Sequence, residues 1–342
     1  MAWDWKKIGA VVFAFASLSV AALYGEAKNL VIYFIDVEGG QATLFVTPSG
    51  QSVLVDTGWP GDRDASRIAT VAKDAGVSQI DDLLITHYHV DHVGGVPTLA
   101  EKIPIKNFFD HGDTVEHDAD GQKLYDDYQK TAAKAGAAHH TIVTAGFKLP
   151  VKDLNWTIVT AAGKVIEHPL PGAGQANPDC SSFEKEDVDA TENARSNGSI
   201  IEFGKLRIAD LGDLTWNKEA ELVCPANKVG RVDLFIVSHH GLDISNSPQL
   251  VHALHPRVAI MDNGATKGGT VKAWTTIHET PSVEDLWQLH FAVANGPQAN
   301  SAADLIANPT ENPDSAFYLK VVAHQDAHFE VTNQRNGFSK KY

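Results

Sequence analysis

Cysteine is almost missing from this chain: Cys180 and Cys224 are the only two in 342 residues. Two thiols so far apart do not make a zinc finger, and neither sits in a recognisable nucleophile motif. They could bridge in an oxidising compartment or be two buried thiols. Runs of one charge are missing too. The formal charge of −15 is spread along the chain with no acidic block and no Lys/Arg cluster. Such a surface keeps a protein soluble and offers no general attraction to nucleic acid or anionic lipid. There is no G-x-S-x-G and no P-loop, which removes two common catalytic designs. After residue 27 no segment is apolar enough to span a bilayer.

What is present reads as a globular protein, with 43% apolar and 21% charged residues rather than the composition of a disordered chain. The first 27 residues stand apart. "MAWDWKK" carries Lys6 and Lys7, Ile8 to Leu23 is uncharged, and Gly25-Glu26-Ala27 offers a small-x-small cleavage site. This is the layout of a secretory signal peptide. A retained N-terminal anchor is the alternative, but the run falls short of the ~18–20 residues a span wants. The mature part, 28–342, contains no linker-like segment and is expected to be a single domain. It should be secreted or periplasmic, with no stable membrane insertion after cleavage.

"NLVIYFID" (29–36), "ATLFVTP" (42–48) and "SVLVDTG" (52–58), separated by Gly-rich turns, read as a β-meander. "RDASRIATVAKDAG" (63–76) is a helix by its apolar spacing, and "IDDLLIT" (80–86) another strand. Residues 166–196 hold Pro169, Pro171 and Pro178 and read as a long loop. "GSIIEFG" and "KLRIADLGD" form a hairpin. Helices are expected at "TWNKEAELVC", "SPQLVHALH" and "SVEDLWQLHFA" (282–292), and strands at "VDLFIVSHHG", "RVAIMDNG", "AFYLKVVAH" and "AHFEVTNQ". Mixed segments of this kind suggest sheets flanked by helices.

"ITHYHVDHVGG" (85–95) places His87, His89, Asp91 and His92 directly after a strand. Imidazole suits zinc and related divalent ions, and aspartate adds a hard oxygen ligand. One side of the turn can present His87 and His89, the other Asp91 and His92, which would serve two adjacent metals. "LRIADLGD" ends on Asp213 and "LFIVSHHG" on His239 and His240, so further metal-type ligands sit at strand ends. Singly, each could be a turn residue or a satisfied histidine. Jointly they point to one cleft.

With "LVDTG" (54–58), "THYHVDH" (86–92), "LGD" (211–213) and "VSHHG" (237–241) in this order, the chain resembles the metallo-β-lactamase superfamily. "FIDVEGGQATLFVTPSGQSVLVDTG" (34–58) is similar to the branch typified by the external domain of the bacterial DNA-uptake channel. The resemblance covers roughly residues 30 to 265. It implies an α/β fold, an αββα sandwich of two mixed β-sheets flanked by helices, with two divalent metal ions, usually zinc, at the sheet edge. Carried over, His87 and His89 would hold the first metal, and Asp91 and His92 the second. Asp213 would bridge them, and His239, in preference to His240, would complete the second site. Asp91 and His240 are then the residues closest to the chemistry, His240 as an outer group or proton donor. Asp56 matches the buried aspartate that orients the ligand loops.

Two departures stand out. Where many members carry a further histidine for the first metal, this chain reads "ENARSNGS" (192–199). Asn193 or Asn197 could offer an amide oxygen there, and His111 or His168 could reach in. Glu38 and Gln41 replace the usual residues of "DVGQGDA" and are expected to line the cleft mouth.

A metal pair lowers the pKa of a bridging water from 15.7 toward ~7, so hydrolysis is the reaction class expected. The branch favours phosphoric esters, and the charge of −15 argues against long nucleic acid, which leaves a small phosphodiester. Lys267, in "DNGATKGG" (262–269), could contact its anionic group, and Trp287 and His290 could wall the cleft or lie in the core. Carbonyl hydrolysis of the lactonase or β-lactamase type, and a non-catalytic metal-binding envelope protein, are the alternatives.

Overall fold

The computed structural model describes residues 29–342 except 311 and 313–315; the segment read as a secretory signal lies outside them. Period-2 alternation sorts the strands into layers. In Leu30–Phe34, the side chains of Leu30, Ile32 and Phe34 enter a core between two sheets, while Val31 and Tyr33 meet the outer helices. On the facing sheet Ile158, Ile201, Ile208 and Ile236 enter the same core, and their neighbours Val159, Ile200, Ala209 and Phe235 turn to the other helix layer. Trp156 and Trp287 are the largest side chains in the middle. Their indole N–H groups donate to Ser199 Oγ at 2.8 Å and Tyr342 Oη at 2.9 Å, so neither brings an unmet donor into the core. Burial of each large apolar side chain there contributes about 1.5–3 kcal/mol.

Each sheet has nine strands, and each is antiparallel at one end and parallel at the other. In the first, the meander Leu30–Phe34, Thr43–Val46 and Ser52–Val55 is antiparallel, and Ile80–Leu84, Ile105–Asp110 and His140–Ile142 continue it in parallel. In the second, the hairpin Gly198–Phe203 and Leu206–Asp210 leads into parallel Leu234–Ile236, Val258–Met261, Asp285–His290 and Ile306–Asn308. Helices cover both outer faces. Asp62–Asp74 buries Ala65, Ile68, Val71 and Ala72 at helical spacing. Pro248–Leu254 starts at Ser247, whose hydroxyl accepts from the Leu250 N–H. This is the αββα sandwich, and among the described residues no helix is long and apolar enough to cross a membrane.

One expected helix is a strand. "SVEDLWQLHFA" contains Asp285–His290, parallel to a strand on each side. Leu286 faces the helices and Trp287 and Leu289 the inner core, so both faces are covered and the apolar residues show no alternation to reveal a strand. Trp287 is thus a core residue and not a cleft wall. Cys180 and Cys224 are joined in a disulfide across a sequence separation of 44. It ties the 166–196 region, which holds two short 3₁₀ turns, to the end of the helix Trp216–Val223.

The parallel strands of both sheets run toward the same edge. Ile80–Leu84 delivers the chain to His87, Leu206–Asp210 to Asp213, Leu234–Ile236 to His239 and His240, and Val258–Met261 to Asp262.

Candidate metal centre

Asp56 organises the first ligand loop. It is fully buried with φ of 58°, and its carboxylate accepts from the Thr86 N–H (2.8 Å) and the Thr86 hydroxyl (2.6 Å). Its Oδ2 also lies 2.7 Å from His92 Nδ1, which turns His92 Nε2 into the cluster. The Gly-Gly ending of the motif is a packing requirement. A Cβ on Gly95 would stand 2.1 Å from the Thr57 carbonyl oxygen. Gly212, with φ of 55°, brings Asp213 in because a Cβ there would meet Thr86 Cβ at 2.9 Å.

His92 Nε2 is 3.2 Å from Asp213 Oδ2 and 3.5 Å from Asp91 Oδ2. His240 Nε2 is 3.2 Å from Asp91 Oδ2, 3.5 Å from Asp213 Oδ2 and 3.1 Å from His92 Nε2. Asp91, His92, Asp213 and His240 therefore form one buried group with ligand atoms in mutual reach, and His87, His89 and Asp213 form a second. Asp213 belongs to both. His87 Nε2 is 3.7 Å from its Oδ2.

Of the two consecutive histidines, His240 is the one grouped with Asp91, His92 and Asp213. Both residues have left-handed backbone, φ 54° and 53°, and this double turn swings His240 beneath the strand end into the group with Asp91. His239 stays beside the cluster, its Nε2 3.4 Å from Asp213 Oδ2 and its Nδ1 3.1 Å from Ser245 Oγ. Behind His240 lies the buried Asp262, whose carboxylate is 3.4 Å from Nδ1 without a hydrogen bond between them.

The other candidates divide. Asn197 donates from Nδ2 to the Ile85 carbonyl at 2.9 Å, next to the ligand loop, and its Oδ1 is buried without a partner. Asn193 also has a buried, unpartnered Oδ1. His111 does not reach the cluster: its Nε2 lies 2.8 Å from Glu192, which also accepts from the Tyr88 and Val115 N–H groups and the Thr114 hydroxyl. His168 is exposed, on a loop whose next residue but one, Leu170, is tied to Lys228. Lys267 places its ammonium on Asp91 and lies over the Trp59 ring, 5.0 Å from its centroid. Gln41 is buried rather than at the cleft mouth, and its Nε2 donates to Asp210. Glu38 and His290 join Asp36 in a further cluster, but Arg67 lies 3.2 Å from both carboxylates and supplies the counter-charge.

Two supports escaped the motif reading. Asp262 is one carboxylate at one more strand end, in "MDNG", and only the parallel register with "VSHHG" could have marked it. Glu116 Oε1, 2.9 Å from His89 Nε2, lies just before the helix Ala119–Ala135, in a polar stretch with nothing to single it out.

The chemistry of the donor set fits a pair of divalent ions. His92 and His240 direct their Nδ1 atoms to carboxylates and their Nε2 atoms to each other, a placement that calls for a cation between carboxylates and imidazoles. His87 Nε2 and Asp213 Oδ1 are buried with no hydrogen-bond partner. The electrostatics agree. Burial alone would raise Asp91 and Asp213, yet the facing histidines hold both well below the usual carboxylate range. Burial would lower His92 and His240, but Asp213 and the other carboxylates hold His92 well above the ordinary value and His240 up at about 10.

Residues 35–176 match the family model of the metallo-beta-lactamase superfamily. The chain is 25% identical over 233 residues to "Recombination protein 2" of Haemophilus influenzae, covering 67% of this chain and 24% of that protein. It thus spans about a quarter of that relative's length. Among solved structures it is similar to CmlA, a diiron β-hydroxylase from Streptomyces venezuelae, at 17% identity and a TM-score of 0.40, covering 75% of this chain and 48% of that one. MEM-A1, a subclass B3 metallo-β-lactamase from a soil metagenome library, is similar at 14% identity and a TM-score of 0.38, covering 66% and 78%.

Proposed function

We propose that this chain, which carries a metallo-β-lactamase superfamily domain, is a binuclear metal hydrolase acting on a small phosphodiester. The observation that carries the reading is the shared position of Asp213 between two donor groups, with Asp213 Oδ1 and His87 Nε2 buried and without a hydrogen-bond partner. His87, His89 and Asp213 would hold one ion, with Asn197 Oδ1 in the place of the missing histidine. Asp91, His92, His240 and Asp213 would hold the other. When bound, the two ions supply Lewis-acid polarisation and an activated water. Asp56 keeps His92 aimed inward, Asp262 supplies negative charge behind His240, and the Lys267 ammonium, already at Asp91, would take the negative charge of a phosphoryl oxygen.

Residues 28–342 act as one unit on this reading, because Leu319, Val331 and Tyr342 from the far end of the chain share the inner core with Leu30. The disulfide and the N-terminal pattern support a secreted or periplasmic location. The even spread of −15 charge supports a small substrate over long nucleic acid.

Metal content and cleavage of bis-p-nitrophenyl phosphate test the reading together. About two ions per chain and chelator-sensitive cleavage, lost in His92→Ala, are expected. Cleavage of a lactone or a β-lactam in place of the phosphodiester would move the protein to the carbonyl hydrolases. Metal-free protein with no activity would leave a non-catalytic envelope module.

A further inference from the structure

Glu192 and His111 form a buried pair that the chemistry above does not use. His111 Nε2 lies 2.8 Å from Glu192 Oε2, and both side chains are withdrawn from solvent. A buried carboxylate is costly unless its lone pairs are met. Those of Glu192 are met on both oxygens. Oε2 also accepts from the Tyr88 N–H at 3.2 Å, while Oε1 accepts from the Val115 N–H at 2.7 Å and the Thr114 hydroxyl at 3.1 Å. Burial would raise this carboxyl, but His111 and the two N–H groups hold it below the ordinary value. It is therefore charged, which strengthens each of these bonds.

What these partners belong to gives the pair its meaning. Tyr88 stands between His87 and His89, so its N–H fixes the backbone that spaces two imidazoles. Its ring is fixed as well, packed 4.7 Å from that of His111, with the hydroxyl donating to the Gly112 carbonyl at 2.7 Å. Val115 precedes Glu116, on which His89 leans. Glu192 itself opens the turn Glu192–Arg195, which leads to Ser196 and Asn197. Ser196 Oγ accepts from the Asp213 N–H at 3.2 Å, and the Asn197 N–H donates to the Thr86 carbonyl at 2.8 Å. One carboxylate thus ties together the chain segments that carry His87, His89 and Asn197 and that touch Asp213.

We propose that Glu192 is a positioning residue for the first ion: it acts through backbone N–H groups rather than through a ligand side chain, and it sets the affinity of the His87–His89 half alone. His111 supports it by supplying the opposing donor. The inference rests on the binuclear reading above.

The test reads metal binding rather than turnover. Zinc is titrated into the full chain in competition with a chromophoric chelator, and the phase that His89→Ala abolishes is assigned to the first half. Glu192→Gln keeps the shape of the side chain but replaces one acceptor oxygen with a donor. It should weaken that phase by about 10–100-fold and leave the other within about twofold. His111→Gln, which leaves the carboxylate and its other donors in place, should weaken the same phase by about threefold. An unchanged first phase in folded Glu192→Gln, or an equal loss in both phases, overturns the proposal, because a carboxylate that only supports the fold would spare both ions or weaken both. If Glu192→Gln does not fold, His111→Gln decides by the same criterion. A wild-type chain without two phases overturns the binuclear reading and the proposal with it, whereas two phases indifferent to the variants overturn the proposal alone.

Discussion

The two halves of the cluster are built to different standards. On one side His92 and His240 are fully buried, and each Nδ1 faces a buried carboxylate, Asp56 at 2.7 Å and Asp262 at 3.4 Å. The turn carrying His240 is itself held, because Asn246 Nδ2 donates to the Ser238 and Leu242 carbonyls, and Glu219 accepts from the Asn246 and Ser247 N–H groups. On the other side His87 is buried against the Thr86 hydroxyl, but His89 is 25% exposed and leans on Glu116, itself 26% exposed. On the proposed reading that half would also be completed by an amide, Asn197, in place of the stronger imidazole. Outer partners commonly set metal affinity, so the difference teaches that one ion should bind tightly and the other weakly.

The largest effect should come from the residue both halves share. Asp213→Ala is expected to lower cleavage by on the order of 10³-fold or more, several kcal/mol of lost stabilisation. Elemental analysis should find both ions depleted. Loss of a single ion would mean that Asp213 serves one half alone.

The scaffold behind His240 carries a cost that the other half lacks. Burial raises Glu219 to about 7, above its unfolded value of 4.5. Between those pH values the folded chain holds a proton that the unfolded chain has released. The stability this group contributes is therefore full below about 4.5, falls as pH rises to about 7, and is flat beyond. The decline is about 3 kcal/mol at most. Urea unfolding with chelator present, at pH 5 and 7.5, should show a smaller pH dependence in Glu219→Gln than in the wild-type protein. Identical slopes would place the charge elsewhere.

Asp262→Asn should weaken the tighter ion by about 10–100-fold, and Glu116→Gln the weaker one by only a few fold, as expected of a partly exposed pair. Competition with a chromophoric chelator separates the two phases. Equal losses would erase the asymmetry.

Most of the cluster was legible because motif and backbone coincide: "THYHVDH" and "LGD" each end a strand, and strand ends of one hand share an edge. The choice between His239 and His240 was not, since it depends on two consecutive left-handed residues that no spacing encodes. Asp262 was hidden for a related reason. Its meaning comes from parallel pairing of Val258–Met261 with Leu234–Ile236, a contact between segments more than twenty residues apart. In the fold, Leu30–Phe34 announced itself as a short β-branched and aromatic run between turns, whereas Asp285–His290 read as a helix because Val283, Leu286 and Trp287 fall at helical spacing.

The smallest expected effect is also the sharpest probe of the weaker half. Asn197→His would put an imidazole where the structure has an amide whose Oδ1 is buried and unpartnered, beside the Ile85 carbonyl and the Thr86 strand end. If this position faces the first ion, affinity for that ion should rise by up to about tenfold, because imidazole is the better ligand for a borderline divalent metal, while the second ion is unaffected. Two-phase chelator titration reads both at once. An unchanged first phase would place the missing ligand elsewhere, and a rise in both phases would mean the halves are coupled through Asp213 rather than independently built.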